Sequence, residues 1–195
     1  MRNITLSSIL MAALLCAGAA QAAPIVYSAA LSGAAENPPT GSTGTGSTTV
    51  IYDPEIHTLQ VTVDFSDLIS PSTVAHIHCC VAPPGNVGVA TAVPTFPEFP
   101  SGVSAGSYDQ IFDLTLAGSF NPAFIDLNGG TAAGAEAALA AGLDAGEAYL
   151  NIHSELFSGG EIRGFLNAVP EPATLGLLGL GLLGLALHRR SHRYA

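Results

Sequence analysis

Leu59-Gln60-Val61-Thr62-Val63-Asp64-Phe65 alternates apolar and polar side chains without a break. Successive side chains of an extended chain point to opposite faces, so this stretch reads as a strand with one face in a core and the other in water. Just upstream, Thr48-Thr49-Val50-Ile51-Tyr52 is a β-branched run that stops at Asp53-Pro54, and an antiparallel pairing of 48–52 with 59–65 across a short turn is predicted. Further strands are expected over residues 25–31, 74–78, 110–116, 148–153 and 161–167, the last after the turn Ser158-Gly159-Gly160. Residues 33–39 carry a turn with Pro38-Pro39, residues 40–47 are a Gly/Ser/Thr loop or a lax edge strand, and the segment from 79 to Pro100 is too rich in Pro and Gly for a helix. One segment breaks the pattern. Residues 132–143 are Ala-rich, hold Glu136 and Leu139, and follow Thr131 at the N-cap position, so a short helix is expected there. Its small side chains give it little to bury and place it on the surface. Seven or so short strands, one helix and no βαβ rhythm point to an all-β sandwich or barrel.

Composition agrees with that class and narrows the partners. The 195 residues include no Trp and 10% charged side chains, as expected for short strands and many turns. Lysine is absent, and Arg2, Arg189, Arg190 and Arg193 all lie near the termini, which leaves Arg163 as the one basic residue of segment 23–168. Fourteen acidic residues in that segment give it a formal charge of −13. Such a field repels phosphate backbones, so nucleic acid is excluded as a partner class; it attracts divalent cations and favours solubility.

The two ends read as addresses. Arg2, an apolar run over residues 9–20 and the small-x-small step Ala20-Gln21-Ala22 predict a signal peptide, residues 1–22, since about 12 apolar residues fall short of a bilayer span. At the other end, residues 169–195 hold Pro170-Glu171-Pro172, an apolar run over 173–187 and then His188-Arg189-Arg190. As a helix that run reaches about 22 Å, enough for a transient transmembrane segment, and the arginines hold the C-terminus in the cytoplasm with the domain outside. The triplet, the short apolar helix and the terminal arginines together resemble the PEP-CTERM sorting signal of Gram-negative bacteria that make extracellular polysaccharide. That resemblance implies an exosortase-type membrane protease as a partner, cutting near Pro170, Glu171 and Pro172, and at least transient contact with the membrane.

Between the ends, three stretches in order carry a second resemblance. Leu31-Ser32-Gly33-Ala34-Ala35-Glu36-Asn37-Pro38-Pro39, then Ala75-His76-Ile77-His78, then Ala148-Tyr149-Leu150-Asn151-Ile152-His153 leading to Gly159-Gly160-Glu161-Ile162-Arg163-Gly164 are similar to the CHRD domain, first named for its repeats in the growth-factor binder chordin. The resemblance covers most of 25–167. It implies an immunoglobulin-like β-sandwich and an extracellular binding role, not an enzyme. The expected function is therefore that of an exported surface or matrix protein associated with exopolysaccharide or biofilm, binding polysaccharide or another surface protein, with no cofactor.

The histidines supply an alternative. In a strand His76 and His78 share a face, as do Asn151 and His153, so three imidazoles converge if the two strands are neighbours. Neutral imidazoles suit Cu or Zn, with Cys79-Cys80 or Glu36 as further donors. The His-x-His step resembles the copper ligands of Cu/Zn superoxide dismutase, a likeness limited to His76 and His78. The other reading of the trio is structural hydrogen bonding. Cys79 and Cys80, the cysteines left after Cys16 departs with the signal, are open to a strained bridge, metal binding or intermolecular linkage. Glu161 and Arg163 share a face of the last strand, and a buried bidentate pair that fixes the sheet is expected. No Ser/His/Asp order, phosphate loop or pair of catalytic carboxylates is present.

Overall fold

The computed structural model describes residues 23–170 and Gly181. The predicted signal peptide, the apolar tail helix apart from Gly181, and Glu171, Pro172, Arg189 and Arg190 lie outside the described residues. Among those described, no helix is long and apolar enough to cross a membrane.

The decisive heptad sits inside β3 (Thr58–Ser66), whose Leu59, Val61, Val63 and Phe65 are buried while the intervening residues are not. β3 pairs on one side with β2 (Thr45–Asp53) and on the other with β5 (Gly106–Asp113), both antiparallel. The β2–β3 turn is closed by Asp53, whose carboxylate accepts from the backbone N–H groups of Glu55 and Ile56. Strand β2 begins at Thr45, so the second half of the Gly/Ser/Thr stretch is a paired strand; β5 begins at Gly106 and exposes Ile111, the residue out of step with alternation.

β1 (Ile25–Ser32) joins β2 along its full length and meets β7 (Ile162–Phe165) at Ser32 opposite Arg163 and β8 (Asn167–Ala168) at Tyr27 and Ser28. Beyond β7 lie β6 (Tyr149–Ser154) and β4 (Ser72–His78), giving the order β4-β6-β7-β1-β2-β3-β5 with β8 beside β1. The expected immunoglobulin-like sandwich of two sheets is thus corrected to one curled antiparallel sheet. The reason is local: β1 hydrogen-bonds on both edges, so the ladder runs through it without a gap.

The residues between β4 and β5 seal the curl. Threonine hydroxyls take up the free edge of β4, with Ile77 N–H donating to Thr91 Oγ1 and Ala75 N–H to Thr95 Oγ1, each at 3.0 Å. Phe96 then stacks on Tyr108 at 5.6 Å and Phe99 on Phe65 at 5.6 Å, which carries the loop across to β5.

Among the described residues, two α-helices complete the fold. The short α1 (Pro122–Leu127) was not expected; its signal is Asn121-Pro122, in which Asn121 caps Ala123 N–H and proline occupies the first turn. The Ala-rich helix α2 (Ala132–Asp144) starts at Thr131, whose hydroxyl accepts from Gly134 N–H. It lies on the surface as expected, with Ala133, Ala137, Ala141 and Asp144 exposed, but buries more than its composition suggests, because Ala135, Glu136, Leu139, Gly142 and Leu143 form a buried face. Polar contacts hold it to the β2–β3 hairpin and to β1: Tyr52 and His57 reach Glu136 at 3.0 and 2.9 Å, and the Tyr27 hydroxyl donates to Asp144. Small residues are what let it approach. Cys79 and Cys80 form a disulfide, and a Cβ added at Gly142 would collide with both sulfur atoms. Gly142→Val is therefore expected to destabilise the protein by about 1–3 kcal/mol in chemical denaturation, and an unchanged midpoint would contradict this packing.

Candidate metal centre

The register of β4, β6 and β7 decides which side chains meet. His76 lies opposite Asn151 and His78 opposite Tyr149; across β6, Asn151 lies opposite Arg163 and Tyr149 opposite Phe165. By strand alternation, His76, His78, Tyr149, Asn151, His153 and Arg163 then project from one face. The other face carries Ala75, Ile77, Leu150, Ile152 and Ile162, all fully buried in the core. The polar face is buried as well, under the loops that follow β1, β4 and β6.

The structure brings the three predicted histidines together. One ring nitrogen from each lies within 4.8 Å of the other two, and His76 packs edge-on to His153 with ring centroids 5.3 Å apart. Each ring also meets a main-chain carbonyl: His76 Nε2 with Pro94 at 2.5 Å, His78 Nδ1 with Val87 at 2.8 Å and His153 Nδ1 with Ser158 at 2.9 Å. A carbonyl only accepts, so these ring nitrogens carry the proton and donate. The second nitrogens, His76 Nδ1, His78 Nε2 and His153 Nε2, are buried and have no partner among the described residues. A buried polar atom without a partner costs about 1–3 kcal/mol, and here three occur in one cluster.

Burial dominates the electrostatics of the trio. It pushes all three imidazoles below their ordinary range, His78 to about 4, against the opposing pull of the carbonyls on each ring. At neutral pH the rings are uncharged, and an uncharged imidazole whose first nitrogen is tied to a carbonyl offers a lone pair at the second. This is the state in which histidine binds metal, and the carbonyl fixes both tautomer and ring orientation.

The other expected donors are elsewhere. Cys79 and Cys80 are tied up in their disulfide, and Glu36 is not a member of the histidine group. Glu36 instead lies 3.7 Å from Arg163 Nε; burial raises its carboxyl to about 7, against the pull of the arginine. The expected Glu161–Arg163 pair does not form. Arg163 donates to the carbonyls of Ala35, Pro84 and Gly85 and to Asn86 Oδ1, while Glu161 accepts from Ser42 Oγ at 2.6 Å and Ile69 N–H at 2.7 Å. Strand parity puts both residues on one face, but the loops reach each of them first.

Sequence reasoning passed over Tyr149, which stacks on His78 at 4.7 Å with the Arg163 guanidinium 4.7 Å from its own ring centre. Its place two residues before Asn151 was the available signal. The main-chain acceptors left none, since any residue supplies a carbonyl. Of the predicted sorting residues, only Pro170 is described, exposed just past β8.

The depressed histidines set a pH response. A group whose folded pKa lies below its unfolded value takes up its proton first in the unfolded chain, so stability is lost as pH falls from about 6.5 towards 4. For metal-free protein, His78→Phe is expected to make this acid-side loss shallower by roughly 2–3 kcal/mol, read from denaturant midpoints at pH 7 and pH 4. An identical pH slope in the variant would show that His78 is not held neutral by burial.

Comparison with curated proteins and with solved structures finds no match. Comparison with family models finds two. Residues 168–190 match the PEP-CTERM protein-sorting motif, which directs exported proteins to the cell envelope or surface of Gram-negative bacteria and implies handling by exosortase, a membrane protein. Residues 27–166, which include the whole polar face of β4, β6 and β7, match the CHRD domain, and the chain belongs to the CHRD-domain family.

Proposed function

We propose that this is a non-enzymatic, transition-metal-binding surface protein, in which the β domain holds one ion on His76, His78 and His153 and the tail delivers it to the exopolysaccharide or biofilm layer. The observation that carries the reading is that three buried histidines lie together, one ring nitrogen of each within 4.8 Å of the other two, and that each keeps one ring nitrogen without a partner among the described residues. A purely structural role accounts for one nitrogen of each ring, through its carbonyl, and leaves the second unexplained. A metal accounts for both. Ligand nitrogens on a tetrahedral or trigonal ion sit about 2.0 Å from it and so roughly 3.3–3.5 Å apart, which asks the trio to close modestly from its present separation.

Elemental analysis of full-length protein purified without chelators is expected to find one Cu or Zn per chain. His78→Ala and His153→Ala are each expected to weaken binding by at least about a hundredfold. A chain that takes up no transition metal, or alanine variants that bind as well as the parent, would remove this reading.

The delivery half has its own test. Deleting residues 169–195 is expected to move the protein away from the cell surface while changing its denaturation midpoint little, since β8 ends at Ala168 and the one backbone bond lost from the sheet is that of Val169 N–H to Val26. Retention at the surface, or an unfolded product, would contradict a tail that acts as an address alone.

A further inference from the structure

If the trio is a metal site, its charge and donor count narrow the choice of ion. The group contains three neutral nitrogens and no carboxylate or thiol, and the neighbouring cysteines are oxidised to a disulfide. The charged group packed behind Tyr149, next to the trio, has the wrong sign for a dication. Arg163, 1% exposed, lies over Tyr149, and Tyr149 stacks face to face on His78 with 4° between the rings. The carboxylate nearest that arginine, Glu36, is 3.7 Å from its Nε.

We propose that the ion selected is monovalent copper, held by His76, His78 and His153 and preferred over both Zn(II) and Cu(II). This rests on the metal-site reading above. The solvation free energy forfeited on burying an ion grows with the square of its charge, so a dication forfeits about four times as much as a monocation of similar size. Sites for divalent ions recover that loss with anionic ligands or open water positions, and this donor set supplies no anion. Coordination number points the same way. Zn(II) held by three imidazoles needs a fourth ligand such as an open water position, which this buried face does not offer to solvent, and Cu(II) a square or tetragonal set, whereas a closed-shell Cu(I) ion is satisfied by three nitrogen donors. The carbonyl bonds to Pro94, Val87 and Ser158 restrain the rings from turning to build a larger set.

The experiment is a competition titration of the full chain in mild detergent without oxygen, with bicinchoninate as the competitor for Cu(I) and matched chelators for Zn(II) and Cu(II). One Cu(I) per chain is expected, bound at least a hundredfold more tightly than either dication, with an X-ray absorption spectrum of three nitrogen neighbours. Asn151→Asp, which puts a carboxylate opposite His76 in the β4–β6 register, is expected to narrow that preference at least tenfold by strengthening the dications. Zn(II) or Cu(II) bound as tightly as Cu(I) by the parent chain would overturn the preference and leave the site standing. Parent protein that binds none of the three would overturn the site itself.

Discussion

Main-chain carbonyl oxygens are the partners on which the polar face of β4, β6 and β7 depends. That face holds three imidazoles and a guanidinium under loops, where each donor must find an acceptor or be left at a cost of one or more kcal/mol. Pro94, Val87 and Ser158 serve the histidines, and Ala35, Pro84 and Gly85 serve the arginine. Segments far apart in sequence thereby become parts of one lid. The residues that follow β4 bind both His76 and Arg163, so the lid spans all three strands.

The rest of the structure is arranged so that this lid can form. On the far side, Ile77, Leu150, Ile152 and Ile162 give the three strands a core face that fixes their register, and a one-residue slip would bring those side chains onto the polar face. Close approach is needed at the turn after β6, where Gly160 has a φ of 127° and a Cβ would run into the Asn151 amide. The disulfide at the end of β4 lodges against Gly142 of α2, so the start of the lid is joined to the helix, and the helix in turn to the β2–β3 hairpin through Glu136. Acidic groups are abundant in the chain, yet those close to the polar face, Glu36 and Glu161, are turned towards Arg163 and towards Ser42 and Ile69.

The strands were legible because burial imposes period two, and Leu59 to Phe65 shows it without interruption. The convergence of His76, His78 and His153 was legible in part: same-face spacing follows from the chain, but the neighbour relation of β4 and β6 is a tertiary fact that no local pattern states. The single ladder was hidden for the same reason, since it hangs on the short contacts of β1 with β7 and β8. Helix α2 was legible but its buried face was not, because low side-chain volume reads as having little to bury, while in the fold it permits Gly142 to sit against sulfur. The Glu161–Arg163 pair failed where charge complementarity was counted without the loops, whose carbonyls and N–H groups outnumber any side-chain partner.

One electronic arrangement underlies the metal site: in the metal-free protein each imidazole is neutral, protonated at the nitrogen facing its carbonyl and bare at the other. Long-range proton–nitrogen NMR of the histidine rings at pH 7 reads this directly. It should show His78 and His153 protonated at Nδ1 and His76 at Nε2, with the bare nitrogens His78 Nε2, His153 Nε2 and His76 Nδ1 shifting together when metal is added. Charged rings, or the opposite tautomers, would mean that no three lone pairs converge and that the face is a structural hydrogen-bond network alone.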